Sequence, residues 1–303
     1  MLGLNVSDSF DTVVTIYILI PFLVIPQLIL SGIIVSFDKL NPTISSPDEI
    51  PVYGEIITAR WAYEALAVQQ FKENEFEKDF YEYNKILSDC DYRKNYWVKT
   101  IENKLTFCQR NYTLPTSQIS VKRELMILRN ELSKPLDAMG YFTFDKVDQL
   151  YINKLTPELF AYTDEFISKL KAYYYKQYNY VNEQKDILIN SMQRTDEERE
   201  KFLKRKRDYS NESLTAFVRN TNSLDRIIEV KGQLYQKSDP IYMSPTHPFI
   251  KAHFYAPYKN LFGIPFSTYW VNMMVIWFYT LLLYVTLRFR LLRKAIEYFS
   301  PNK

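Results

Sequence analysis

The feature that most constrains this chain is a pair of long uncharged runs, one near each end. Thr12 to Phe37 reads TVVTIYILIPFLVIPQLILSGIIVSF, and Leu261 to Leu287 includes YWVNMMVIWFYTLLLYVTL; neither contains Asp, Glu, Lys or Arg. Each is longer than the ~20 apolar residues a helix needs to cross a ~30 Å hydrocarbon layer. Inside that layer a segment must satisfy its own backbone hydrogen bonds, so both runs are predicted to be helices. The expected fold is an all-α membrane protein. Two transmembrane helices, residues 13–37 and 261–287, enclose a large helix-rich external domain. Pro21 and Pro26 lie inside the first run, where each removes a backbone donor and favours a kink.

Charge sets the expected orientation. After the second run come Arg288, Arg290, Arg293, Lys294 and Lys303, with Glu297 the one acid. Basic residues beside a span mark its cytoplasmic end. Residues 288–303 are therefore read as a basic cytoplasmic tail in the inner or plasma membrane. Two crossings place flank 1–12 on the same side, although that flank carries only Asp8 and Asp11. Residues 38–265 then face the periplasm or extracellular space. The N-terminal run has no basic stretch before it and no small-residue cleavage site, so it reads as a retained helix rather than a signal peptide.

Between the runs, residues 38–76 read as an exit loop followed by an amphipathic helix, and 77–260 as the external helical domain. In VYGEIITARWAYEALAVQQF, from Val52 to Phe71, the positions Ile57, Trp61, Ala65 and Val68 recur at helical spacing and Leu66 widens the stripe. Arg60 and Glu64 sit one turn apart on this segment. A charge near a membrane is costly unless paired, which makes the two natural partners. The segment fits equally an interfacial or re-entrant helix and a helix packed on the loop domain. Thr156-Pro157-Glu158 is a helix start. Phe160, Ile167, Leu170, Tyr174, Val181 and Leu188 follow at heptad-like steps. Thr195 and Glu198 form a capping-box sequence that opens a second helix, with Leu203, Leu214, Phe217, Leu224 and Ile228 continuing the pattern. Thr156 to Ile228 is therefore expected to be a long antiparallel helical hairpin. The proline-rich stretch 237–265 is expected to return the chain to the membrane, with His247 and His253 as solvated loop residues.

The whole chain holds 38 Lys and Arg against 35 Asp and Glu, a near balance that argues against a nucleic-acid surface. No phosphate-binding loop or nucleophile elbow is present, and neither cysteine has a neighbouring histidine, so the chain reads as a non-enzyme with no cofactor or metal site of its own. Cys90 and Cys108 fall in the external segment. Their even count permits a disulfide between them, with two buried thiols as the alternative.

The order of these segments resembles a known family. IPQLILSG at 25–32, FDKLNP at 37–42 and ARWAYEALAVQQFKENEF at 59–76 are similar to the ABC-2 type permease region of the white/ABCG subfamily of ABC transporters. Arg60, Trp61, Ala65, Leu66 and Phe71 fall on that family's aromatic-rich motif. The resemblance implies that 13–37 corresponds to the fifth spanning helix, that a re-entrant segment follows it, and that the last helix ends in a short basic tail. It further implies a C-terminal part of an ATP-driven exporter whose segment 52–71 helps close the outer end of the pathway. ATP and Mg would be held by an ABC ATPase domain or partner. The remaining permease helices would come from elsewhere, in a homo- or heterodimer embedded in the lipid bilayer. Residues 77–260 are longer and richer in helix than that family's external loop. A Wzz-type polysaccharide chain-length regulator or another two-span envelope scaffold is the alternative. It shares the two spans and helical external domain but lacks the ARWAYEAL segment.

Overall fold

The computed structural model describes residues 1–32, 37, 49–137 and 140–299. In chain order the elements are α1 (Leu2–Ser9), α2 (Val13–Ile29), α3 (Val52–Ile56), α4 (Thr58–Lys72), α5 (Tyr81–Tyr92), a π-helical turn (Arg93–Trp97), α6 (Val98–Asn111), α7 (Gln118–Leu132), α8 (Pro157–Ser191), α9 (Asp196–Tyr209), α10 (Glu212–Val218), β1 (Ile227–Val230), β2 (Gln233–Gln236), β3 (Tyr258–Leu261), β4 (Ile264–Ser267), α11 (Thr268–Arg288) and α12 (Leu291–Phe299). The fold is mostly helical, with two short antiparallel hairpins added to the expected helices. The chain divides into two compact units, residues 1–70 with 244–303, and Phe71–Met243.

In the first unit α11 spans 21 residues and is long and apolar enough to cross a membrane. It starts at Thr268 rather than Leu261, because Tyr258–Leu261 and Ile264–Ser267 pair as a hairpin. Phe262 (φ 53°) and Gly263 (φ 84°) form its two-residue turn. Two successive positive-φ residues give the tight turn whose twist matches the flanking strands. The N-terminal run forms the apolar helix α2, 17 residues long with Pro21 and Pro26 in its interior. The rest of the predicted first span, 33–36, and the exit loop 38–48 with Pro42 and Pro47 lie outside the described residues. Flank 1–12 is largely helical. Asn5 of α1 donates to Leu283 O (2.9 Å) and accepts from Thr286 Oγ1 (3.0 Å), both near the end of α11. Asp8 and Asp11 lie 3.7 and 3.5 Å from Arg290 and Arg293.

The second unit has its own core. Tyr81 to Asn111 is helical throughout, because the π turn joins α5 to α6 without a break. Helix α8, 35 residues long, opens as the sequence predicts: Thr156 caps it by accepting from Leu159 N, and Pro157 occupies the first turn. Its stripe of Phe160, Ile167, Leu170, Tyr174 and Val181 is buried. The partner of that stripe, however, is α5–α6. Lys185 meets Asn84, Gln177 meets Cys90, Tyr174 meets Arg93 and Lys171 meets Glu102. Numbers rise on one helix as they fall on the other, so the pair is antiparallel. Helix α7 packs against α6 through Val121, Leu125 and Leu128, all fully buried. Its buried Glu131 accepts from Trp97 Nε1 (2.9 Å) and from Leu234 N of β2 (2.8 Å).

The expected hairpin of Thr156 to Ile228 is thus corrected. The Thr195–Glu198 capping box forms and starts α9, but that helix stops at Tyr209 and a new one starts where Asn211 accepts from Leu214 N. Leu203, Phe217 and Leu224 are exposed, and 227–230 is a strand. Residues 196–209 hold too few apolar side chains to cover a partner helix, so the heptad-like spacing there marks no core.

The disulfide expectation is also corrected. Cys90 and Cys108 are free, buried thiols. Eighteen residues of uninterrupted helix separate them by about 27 Å at 1.5 Å per residue, against the roughly 7 Å a bridge tolerates between Cα atoms. An even count of cysteines does not reveal that the helix continues through Tyr92 between them. Burial, reinforced by Asp89, pushes the Cys90 thiol up to about 12. Burial and Glu124 do the same to Cys108. Neither thiol is a nucleophile at neutral pH.

Candidate functional site

The site grows from a short break in the helix after Pro51. Helix α3 ends at Ile57, whose extended backbone (φ −83°, ψ 108°) turns the chain into α4. Gly54 is required on the way: a Cβ there would lie 2.8 Å from Ile50 and 2.9 Å from Phe37. The apolar face of α4 then buries Trp61, Ala65, Ala67, Val68 and Phe71. Of the predicted stripe, Leu66 points outward and is exposed, so it does not widen the buried face. Trp61 is buried too, donating from Nε1 to Glu55 O at 2.7 Å.

On that same buried side lie Arg60 and Glu64, both fully inaccessible. The arginine is spread over three acceptors. Nε donates to Gly54 O (3.1 Å), one terminal nitrogen to Glu64 Oε2 (2.9 Å) and the other to Glu55 Oε2 (2.5 Å). Its guanidinium lies 3.6 Å from the Trp61 ring centre. The expected pairing of Arg60 with Glu64 is therefore present, but it is one edge of a larger network.

Two members of the network were not singled out in the sequence. Lys259, on β3, donates to Glu64 Oε2 at 2.7 Å and to Asn272 Oδ1 at 3.0 Å. Asn272, one turn into α11, donates from its amide to Glu64 Oε2 (2.8 Å) and to Trp61 O (3.0 Å). Both are buried. The signal for each was faint: Lys259 is a lone cation in YAPYKNLFGIPF, and Asn272 a lone amide among the apolar residues opening α11. Tyr279, two turns further on, donates to Glu55 O at 3.1 Å.

Three donors thus converge on a single carboxylate oxygen, Glu64 Oε2, while Oε1 is buried with no hydrogen-bond partner among the described residues. Burial opposes ionisation of Glu64, but Lys259, Arg60 and the hydrogen bonds from Lys259 and Asn272 outweigh it and hold the carboxyl below its usual range. Lys259 shares that carboxylate with Arg60, so burial dominates there and lowers its affinity for a proton. Glu55 is partly exposed, and burial raises its carboxyl above the usual range despite the nearby cations. Two cations and two carboxylates make the network neutral as a whole. A buried charge set of this kind adds little stability over apolar packing but tolerates no missing member. Its chemical capacity is to hold α3, α4, β3 and the start of α11 in one arrangement. It carries no nucleophile or acid–base pair open to a substrate.

The other sequence-predicted positions do not join this cluster. Pro21 and Pro26 lie in α2, and Cys90 and Cys108 in the second unit. His253 is buried, not solvated, whereas His247 is exposed as expected. In comparisons with known proteins the chain matches no protein-family model, no curated protein and no solved structure.

Proposed function

We propose that this chain is the C-terminal membrane part of an ABC-type exporter permease, and that the Arg60–Glu64–Lys259–Asn272 network is a latch at the outer end of its pathway. The observation that carries the reading is the convergence of α4 and the first turns of α11 on Glu64. Such an ion network holds one arrangement firmly and gives way as a unit, which suits a gate better than a passive packing contact. The ARWAYEAL segment contributes two of its members, which links the geometry to the resemblance.

Other features support the membrane placement. α11 has the length and composition of a span, and the 17 residues of α2 are predominantly apolar and carry no charge. In α12, Leu291, Leu292, Ala295, Ile296 and Phe299 share one face, with Arg293, Lys294 and Glu297 opposite. A helix so divided lies in the plane of an interface, with its cations toward anionic headgroups. The pairing of Asp8 and Asp11 with the tail arginines agrees with two ends on one side. In this reading two spans enclose the external unit, both ends are cytoplasmic, and ATP and Mg are handled by an ABC ATPase domain or partner.

The test is to isolate the protein from its native membranes with an antibody to residues 71–243 and to identify what is joined or bound to it. An ABC ATPase sequence in the same polypeptide or in a stable complex supports the reading. Association with polysaccharide-assembly enzymes alone contradicts it and favours the chain-length regulator.

A further inference from the structure

The second unit holds a cleft of about 720 Å³ bounded by α5, the C-terminal half of α8, α9 and α10. That volume is within the usual range of small-ligand sites. It is independent of the ion network and of the export reading.

One wall is aromatic. Phe76, Phe80 and Phe202 form a cluster with ring centres 5.2, 5.5 and 6.3 Å apart. The rings of Phe76 and Phe80 are buried, while Phe202 is half-buried. A polar floor adjoins them. Lys185 Nζ donates to Asn84 Oδ1 (2.7 Å), and the Asn84 amide donates to Glu77 Oε2 (3.3 Å). Arg219 is closed onto Asp239 at 2.6 Å.

The charges around the cleft balance. Lys185, Lys206 and Arg219 face Glu77, Asp91 and Asp239. Burial has opposite effects on the two floor groups, raising the Glu77 carboxyl and lowering the Lys185 ammonium. An anionic ligand entering here would meet three carboxylates, and a cationic one three cations. A purely apolar ligand would strip water from the Glu77–Asn84–Lys185 chain without replacing its hydrogen bonds, which is costly. The floor offers both donors and acceptors, and the wall offers aromatic faces whose negative π-surface attracts slightly positive C–H groups.

We propose that this cleft binds a neutral saccharide. A sugar ring presents a C–H face to an aromatic side chain and hydroxyls, each both donor and acceptor, to the floor. Phe202 would stack on that face, and Lys185, Asn84 and Glu77 would engage adjacent hydroxyls.

The test uses the full chain, purified in a detergent without a sugar headgroup, with maltotriose, cellotriose and chitotriose as probes in titration calorimetry. At least one should bind saturably with a Kd of about 1 mM or tighter. Phe202→Ala should weaken it at least about ten-fold, Phe202→Tyr should retain it, and Lys185→Met should weaken it to a similar degree. Helix content by circular dichroism checks that each variant is folded, and Phe202→Tyr against Lys185→Met still decides if Phe202→Ala is not. Absence of saturable binding by all three probes overturns the proposal. So does unchanged affinity in the folded Phe202 and Lys185 variants, or tighter binding of a glucuronate-containing or glucosamine trisaccharide than of any neutral one.

Discussion

Replacing Glu64 by Gln is the sharpest perturbation of the ion network. The amide keeps the shape of the side chain and leaves an oxygen available to Arg60, Lys259 and Asn272, whose donors lie 2.9, 2.7 and 2.8 Å from Oε2. What it removes is the charge. Arg60 and Lys259, both buried, are then left with Glu55 alone. Breaking a buried pair by removing one partner costs about 3–5 kcal/mol, and Glu64→Gln should fall in that range. Lys259→Met should cost less, about 1–2 kcal/mol. It deletes one charged hydrogen bond but also abolishes the burial penalty of the ammonium, and Glu64 retains Arg60 and Asn272. In the double variant one stranded cation is gone, so its cost should fall short of the sum of the single costs by about 1–2 kcal/mol. The assay is urea unfolding of the detergent-solubilised chain followed by tryptophan fluorescence, since Trp61 sits against both cations. A Glu64→Gln variant within about 0.5 kcal/mol of wild type, or strict additivity, would refute the reasoning.

Further predictions concern pH and topology. Because Glu64 titrates below its unfolded value, the stability it contributes is present above that value, about pH 4.3, and is lost as pH falls through the lower folded one. Acid unfolding followed by circular dichroism should therefore be shallower in Glu64→Gln than in wild type, and an identical acid limb would count against the network. Glu55 works in the opposite sense: its raised value makes its contribution fade as pH rises, so Glu55→Gln, at this partly exposed carboxylate, should cost less than Glu64→Gln at neutral pH, as unfolding midpoints will show. The native thiols should resist maleimide at pH 7 until denaturant is added, and a disulfide-linked Cys90–Cys108 peptide in mass mapping would contradict the continuous helix. Against that silent background, Ser210→Cys should react with an impermeant thiol reagent on intact cells and Tyr298→Cys only after permeabilisation; the reverse pattern would invert the topology.

How much of this was legible in the sequence differs by element. α8 was readable because its cap, its proline and its stripe all agree, and the structure uses each. Its partner was not. Periodicity says that a face is apolar, not which other apolar face covers it, and the stripe of α5–α6 was hidden by the π turn at Arg93–Trp97, which shifts the helical phase. The two hairpins carried one local sign each, a glycine at Gly232 and Gly263, but their strands are four residues long and lack clear alternation. Within the site, Arg60 and Glu64 could be paired from their spacing alone because one helical turn brings i and i+4 together. Lys259 and Asn272 could not, since their contacts to Glu64 span 195 and 208 residues of chain. The depth of burial of Trp61 was likewise set by distant residues, since Asn272 and Lys259 lie against it.

The proposed latch requires that this network couple to ATP-driven export. The decisive measurement is ATP hydrolysis and export by the complex isolated from native membranes and reconstituted in vesicles, comparing wild type with Arg60→Ala. If the network is the latch, ATP binding should be unchanged and export lowered at least about ten-fold, a loss of roughly 1.4 kcal/mol or more in coupling. A native complex without ATP hydrolysis, or Arg60→Ala exporting as wild type does, would contradict it.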